Sequence, residues 1–301
     1  MKIFITGGTG FVGRFMTQRF TELGHEVAVL TRSAAKGQKL TPGVSLVQGD
    51  PNKPGLWQEK VTECDVVINL AGVSIFTFWT DNVRRAIIES RVQTTRHLVD
   101  ALAARLTDTV LLNASAVGYY GGHEDDAVLD ESSPAGSDFL AQVGQRWEAE
   151  ARRAEEFGVR VALCRFGIVM GKGGGALDKM ITPFKYFMGS ALGSGRQWFP
   201  WIHQEDLFRI MLFLAENKHI AGPINCTAPH PVRNEEMTRL LARALHRFVV
   251  LPAIPGIVLK TLLGELGEVL LTGQRAIPRR LLDEGFQFKF PTFPEALRDL
   301  L

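Results

Sequence analysis

Apolar positions in this chain switch repeatedly between two periods. Ile3-Phe4-Ile5 is too short a run for a helix and suits a buried strand, whereas Phe11, Val12, Phe15, Met16, Phe20 and Leu23 recur at helical spacing up to a stop at Gly24. Residues 26–31 (EVAVLT), 44–47 and 65–71 (DVVINLA) form three further strand-like runs. Residues 81–105 then carry a helical stripe through Ile87, Ile88, Leu98, Val99 and Leu102. A fifth strand over 109–113, a polar loop over 122–137, a helix over 139–157 and a sixth strand over 159–165 complete the series. Strand and helix in alternation predict an α/β fold with a doubly wound parallel sheet over residues 1–170. Beyond 170 the alternation breaks down, and residues 171–301 are expected to form a smaller C-terminal substrate lobe, with some segments returning to the sheet. In the tail, Pro278 opens a helix that Gly285 stops, and Phe286, Phe288 and Phe290 alternate like a short strand.

The turn between the first strand and the first helix carries candidate chemistry. In MKIFITGGTGFVG the glycines fall at Gly7, Gly10 and Gly13, where a side chain would hold the backbone away from a pyrophosphate. With a strand before it and a helix after it, this turn points to a Rossmann-type dinucleotide site built on Gly7, Thr9, Gly10, Phe11 and Val12. The alternative is a tight turn without a ligand. An NAD site usually ends its second strand in an acidic residue that accepts the ribose 2′-hydroxyl, but here the strand ends Thr31-Arg32-Ser33, with Lys36 and Lys39 close behind. A guanidinium holds a 2′-phosphate by charge-assisted hydrogen bonds, so NADP(H) is the expected cofactor. The alternative for Arg32 is one more solvated charge. The run Gly171-Lys172-Gly173-Gly174-Gly175 lacks the Lys-Ser/Thr ending of a P-loop and is expected to be a flexible substrate-side loop.

Composition adds limits. The chain has 301 residues, 46% of them hydrophobic, which is enough for a large core. Its 34 basic and 32 acidic residues give a net charge of +2, so no global field points to nucleic acid or to a membrane, and any basic site is local. No secretory signal pattern and no run of 18 or more apolar residues is present, and a cytoplasmic protein is the expectation. Cys64, Cys164 and Cys226 lie far apart without metal-ligand spacing, so no metal site is expected.

The motif GGTGFVG resembles the extended and atypical short-chain dehydrogenase/reductases, the superfamily of the nucleotide-sugar epimerases. The tail resembles the C-terminal extension of one subgroup, the uncharacterised "epimerase family" reductases, so the resemblance spans essentially the whole chain. It implies that Asp50 accepts from the adenine amino group, although a turn-forming role before Pro51 is equally open. It also implies that Leu70, Ala71 and Gly72 pass beneath the adenine ribose, that Arg91 reaches a phosphate, with a solvated surface arginine as the alternative, and that Ile168 and Val169 line the nicotinamide. WFPWIHQEDL resembles the Ile-His-x-x-Asp-Leu that opens a late helix, where His203 and Asp206 order the helix start.

The resemblance fails at the catalytic pair. Relatives use a tyrosine as acid/base and a lysine four residues on. With Trp147-Glu148 setting the register, Leu140 occupies the tyrosine position and Gly144 the lysine position. The usual serine position falls on Ala116, one residue after Ser115. The tyrosines of the chain are Tyr119, Tyr120 and Tyr186, and none has lysine four residues later. Two classes of function remain. One is an NADP(H)-dependent oxidoreductase or epimerase-like enzyme acting on an unknown small molecule, with Ser115, Tyr119, Tyr120 or His203 as candidate acids. The other is a non-catalytic NADPH-binding regulator or scaffold.

Overall fold

The computed structural model describes residues 1–301 apart from 38, 39 and 107, and apart from the side chains of 34 and 36. Seven parallel strands form the central sheet: β1 (Lys2–Thr6), β2 (Glu26–Thr31), β3 (Ser45–Gln48), β4 (Val66–Asn69), β5 (Val110–Ala116), β6 (Arg160–Phe166) and β7 (Gly222–Cys226). Their order across the sheet is β3-β2-β1-β4-β5-β6-β7. The chain therefore winds outward from β1 to β3, returns past β1, and winds the other way from β4. The strand order reverses between β1 and β4, which is where open parallel sheets open a crevice for ligands.

Both faces of the sheet are covered, which is why its strands read as continuous apolar runs rather than alternating ones. Ile3 and Ile5 of β1 point to one face, where they pack with Met16 and Phe20 of the Phe11–Glu22 helix and with Phe208 and Met211 of the Gln204–Glu216 helix. Phe4 points to the other, against Trp57, Leu98, Leu102 and Ala151. The helix over 81–102 starts on a Thr80 cap, and the helix over 139–152 starts on Asp138, whose carboxylate accepts from the Ala141 N–H at 2.9 Å. The latter helix ends at Arg152 and tightens into a 3₁₀ turn, Arg153–Phe157. The seventh strand comes from the C-terminal half of the chain.

Two features of that half differ from expectation. Phe286 and Phe290 are buried and Phe288 packs beside them, but residues 286–290 pair with no strand. Their backbone is satisfied differently: the buried Asp206 carboxylate accepts from the Lys289 N–H at 2.7 Å and the Phe290 N–H at 2.8 Å. One carboxylate thus does what a neighbouring strand would do. The glycine run after residue 170 is anchored at both ends, at Gly171 and at Gly174-Gly175, while Lys172 and Gly173 between them are exposed. It follows a short strand, Ile168–Met170, paired with Trp201–His203, and it wraps the Phe11 ring, which a Cβ on Gly175 would approach to 2.5 Å.

Candidate functional site

The glycine turn sits at the strand-order reversal. Gly7 has φ +69°, a conformation that side chains strain to adopt, and a Cβ there would lie 2.7 Å from the Leu70 carbonyl. The turn therefore seats directly on Leu70 and Ala71 at the end of β4. Gly10 closes it by donating to the Gly7 carbonyl at 2.9 Å and is the N-cap of the Phe11–Glu22 helix. The N–H groups of Phe11 and Val12 have no helical acceptor at that end, and they offer a positive pole to an anion. Thr9 lies at the tip, with its carbonyl accepting from Arg14 Nε at 2.9 Å.

Under the turn runs a buried polar network. Asn69 Oδ1 accepts from Thr6 at 2.6 Å, while its amide donates to Asn113 Oδ1 at 2.7 Å and to Thr95 at 2.9 Å. Trp147 donates to the same Thr95 hydroxyl at 3.0 Å. Every member is paired, which fixes the ends of β1, β4 and β5 relative to one another.

Arg91 stands out electrostatically. Its guanidinium lies against Gly72, where a Cβ would be 3.0 Å from Cζ, and 5.2 Å from the centre of the Trp147 ring. It donates to the carbonyls of Val73 and Ile87 and has no carboxylate partner among the described residues. Desolvation pushes its pKa down to about 10. Arg32 is exposed at the end of β2 and also has no partner among the described residues. Lys39 lies outside them. Thr31 is buried and spends its hydroxyl on the Ser33 backbone, at 3.0 Å to the carbonyl and 3.2 Å from the N–H. Asp50 holds its own turn by accepting from the Asn52 N–H at 3.1 Å, which leaves its second carboxylate oxygen uncommitted. Ile168 and Val169 are half-buried just beyond β6.

The candidate acids separate clearly. Ser115 is buried and donates to Glu148 Oε1 at 2.7 Å. Arg165 grips the same carboxylate with two bonds of 2.8 Å and donates to the Tyr120 hydroxyl at 3.0 Å. Tyr120 in turn donates to Asn225 Oδ1 at 2.7 Å. Burial raises the Tyr120 pKa to about 12, against the opposing pull of Arg165. Tyr120 and Ser115 are thus committed to an internal network that locks β5, β6 and β7 to the 139–152 helix. Tyr119 is half-buried, its ring lies 3.5 Å from the Arg165 Cζ, and its hydroxyl has no partner among the described residues. A Cβ on Gly144 would sit 3.3 Å from the Tyr119 Cα and 3.4 Å from its Cβ, so the glycine lets Tyr119 pack closely on this helix. Leu140 packs in an apolar cluster with Trp79, Ile87, Val143 and Leu266.

His203 lies apart from these groups. It is buried against Phe290, and its Nδ1 accepts from the Glu205 N–H at 3.0 Å, capping the Gln204–Glu216 helix. Its Nε2 faces Asp299 at 3.3 Å without a hydrogen bond of good geometry. Burial lowers its pKa, with Asp299 and Asp206 opposing. The unfolded chain takes up a proton here below about pH 6.5. The folded chain refuses it until lower pH, so this group makes stability rise with pH across that window and fall on acidification. Thermal midpoints measured between about pH 5.5 and 7.5 should show a shallower acid loss for His203→Gln than for the wild type. Parallel curves would mean that His203 takes up its proton equally in the folded and unfolded chains.

Sequence reasoning missed Arg165, Asn225 and the partnership of Glu148 with both Arg165 and Ser115. The available signal was a charged residue inside the apolar strand VALCR, since a fully buried arginine needs a partner.

A doubly wound parallel sheet with a glycine turn at its switch point, an unpaired desolvated arginine beside it, and a Ser-Ala-Val-Gly-Tyr-Tyr segment at the end of β5 defines the short-chain dehydrogenase/reductase class. The chain belongs to the NAD dependent epimerase/dehydratase family, whose sequence model matches residues 3–227. A second model, a domain of unknown function called DUF1731, matches residues 254–300. The chain is 42% identical over 304 residues to the chloroplastic SDR39U1 homolog of Arabidopsis thaliana, an epimerase family protein, and the match covers 100% of this chain and 87% of that protein. It is 36% identical to the epimerase family protein YfhF of Bacillus subtilis over 100% of this chain and 98% of that one. The crystal structure of human epimerase family protein SDR39U1 with NADPH superposes with a TM-score of 0.86 at 32% identity, covering 100% and 99% of the two chains. No helix among the described residues is long and apolar enough to cross a membrane.

Proposed function

We propose that this chain binds NADPH and works as a reductase-type or epimerase-like enzyme whose proton donor is Tyr119. The observation that carries the cofactor half is Arg91, a desolvated guanidinium without a carboxylate, resting on Gly72 beside the glycine turn. Such a cation is complementary to a pyrophosphate, as are the free N–H groups of Phe11 and Val12. Arg32, unpaired at the end of β2, holds the 2′-phosphate, and the NADPH in the structure of the human relative supports this reading. When bound, NADPH supplies hydride. On the protein side, Glu148 holds Arg165 in place and Arg165 supports the Tyr119 ring, whose hydroxyl is free to give a proton. Ser115, Tyr120 and His203 are structural in this reading, because each is buried in contacts that proton transfer would break.

A second reading, a non-catalytic NADPH-binding regulator, is favoured by Leu140 and Gly144, neither of which can exchange a proton, at the positions of the usual pair. One experiment separates the two: cofactor titration followed by single-turnover NADPH oxidation against a carbonyl panel. Wild type should prefer NADPH to NADH, and Arg32→Ala should lose about 1.5–3 kcal/mol of NADPH affinity with NADH little changed. Tyr119→Phe should slow oxidation about 10²–10⁴-fold with affinity intact. Tight binding with no oxidation of any carbonyl and no epimerisation of a nucleotide sugar by the NADP⁺-loaded protein selects the regulator, and equal affinity for both cofactors overturns the role of Arg32.

A further inference from the structure

The near-zero net charge conceals a local asymmetry in the C-terminal half. Residues 179–191 and 240–264 contain Lys179, Lys185, Arg243, Arg247 and Lys260 but no aspartate or glutamate. Lys260 pairs with Glu268, whereas the other four cations have no acidic partner among the described residues. The same two segments expose large apolar side chains. Tyr186 is 69% exposed, Phe248 79% and Ile257 71%, with Phe187, Met188 and Leu262 also on the surface.

The two segments pack against each other, while Lys179 at the start of the first lies 4.8 Å over the Phe76 ring. Arg247 lies over the Phe187 ring at 5.0 Å, Ser190 donates to the Pro252 carbonyl at 2.5 Å, and the Ile254 N–H donates to the Ala191 carbonyl at 2.9 Å. The Gly256–Leu263 helix follows directly, turning Leu259 inward and Ile257, Val258 and Leu262 outward. Scattered surface apolar residues need no explanation, but a contiguous patch of this kind marks an interaction site. The backbone supports this. Phe187 and His246 adopt φ of +58° and +53°, a region disfavoured for bulky residues, and Phe187 is held outward there.

We propose that this face docks on an anionic lipid surface, with Tyr186, Phe187, Phe248 and Ile257 entering the headgroup boundary and Lys179, Lys185, Arg243 and Arg247 meeting the lipid phosphates. Aromatic and aliphatic side chains bordered by unpaired cations are the chemistry of interfacial binding, and this inference is independent of the cofactor reading. A second copy of the chain fits less well. A two-fold interface would set this face against itself, bringing the four unpaired cations towards their own copies with no acid to meet them.

The test is co-sedimentation of the full chain with vesicles of phosphatidylcholine, with and without phosphatidylglycerol. Binding should occur on the phosphatidylglycerol vesicles, weaken with salt, and be about tenfold or more weaker on phosphatidylcholine alone. The double variants Phe187→Asp/Phe248→Asp and Lys185→Glu/Arg247→Glu should each lose it, with circular dichroism and thermal midpoint unchanged to show that the fold is intact. No binding by the wild type, or equal binding to both vesicles, overturns the proposal. So does a dimer, seen by light scattering, that the phenylalanine substitutions dissociate while vesicles are left unbound.

Discussion

Arg165→Met is expected to lower the stability of the fold by about 3–5 kcal/mol, because it leaves the Glu148 carboxylate buried without its bidentate cation. Only the Ser115 hydroxyl would remain as a partner, and the Tyr120 hydroxyl would lose a donor as well. The cost comes from the stranded charge rather than from lost attraction, so Glu148→Leu/Arg165→Met should be much closer to wild type than Arg165→Met alone. Arg165→Lys should not rescue, since an ammonium cannot reproduce two parallel bonds to the carboxylate and a third to Tyr120. Urea midpoints of the three variants measure this. A single variant as stable as wild type would mean that water or a backbone shift compensates Glu148, and the network would then not hold the strands together.

Arg91→Met is expected to have opposite effects on stability and on binding. The cofactor-free protein should be as stable as wild type or more so, because a desolvated cation without a carboxylate is removed and the freed Val73 carbonyl lies at the surface. Affinity for NADPH and NADH should fall together by on the order of 10–150-fold, the equivalent of losing a charged hydrogen bond worth about 1.5–3 kcal/mol. An equal loss is what the proposed pyrophosphate contact of Arg91 requires, since both cofactors share that group, whereas the 2′-phosphate contact proposed for Arg32 affects only one. Calorimetric titration together with a thermal melt reads both quantities. Lost stability with unchanged affinity would make Arg91 a clamp on the 73–87 segment instead.

The glycine turn shows why part of this site is legible in a single sequence. Gly7, Gly10 and Gly13 are close in the chain, and their meaning depends only on a strand before and a helix after, both of which the apolar periods announce. The position of Arg32 is legible for the same reason, as the residue just after a recognisable strand. Arg91 is legible only through the family resemblance, which implies a phosphate contact for it. Its desolvation depends on Gly72 and Trp147, which lie 19 residues before and 56 after it in the chain and meet only in the fold.

The tail gives the converse case. Alternation at Phe286, Phe288 and Phe290 correctly marks buried and half-buried positions, but whether an extended segment becomes a strand depends on what accepts its N–H groups. Here the acceptor is Asp206, 84 residues from Phe290.

By itself the sequence determined the alternation of strands and helices, the buried parallel sheet, the glycine turn between the first strand and helix and the absence of a Tyr-x-x-x-Lys pair, because each is written in residues a few positions apart. Only the tertiary structure decided that Arg165 and Glu148 neutralise one another, and that Tyr120 and Ser115 are consumed by that pair while the Tyr119 hydroxyl has no partner among the described residues. Those outcomes depend on strand order and register. These fix which buried charges meet, and burial in turn makes a missing partner costly enough to matter.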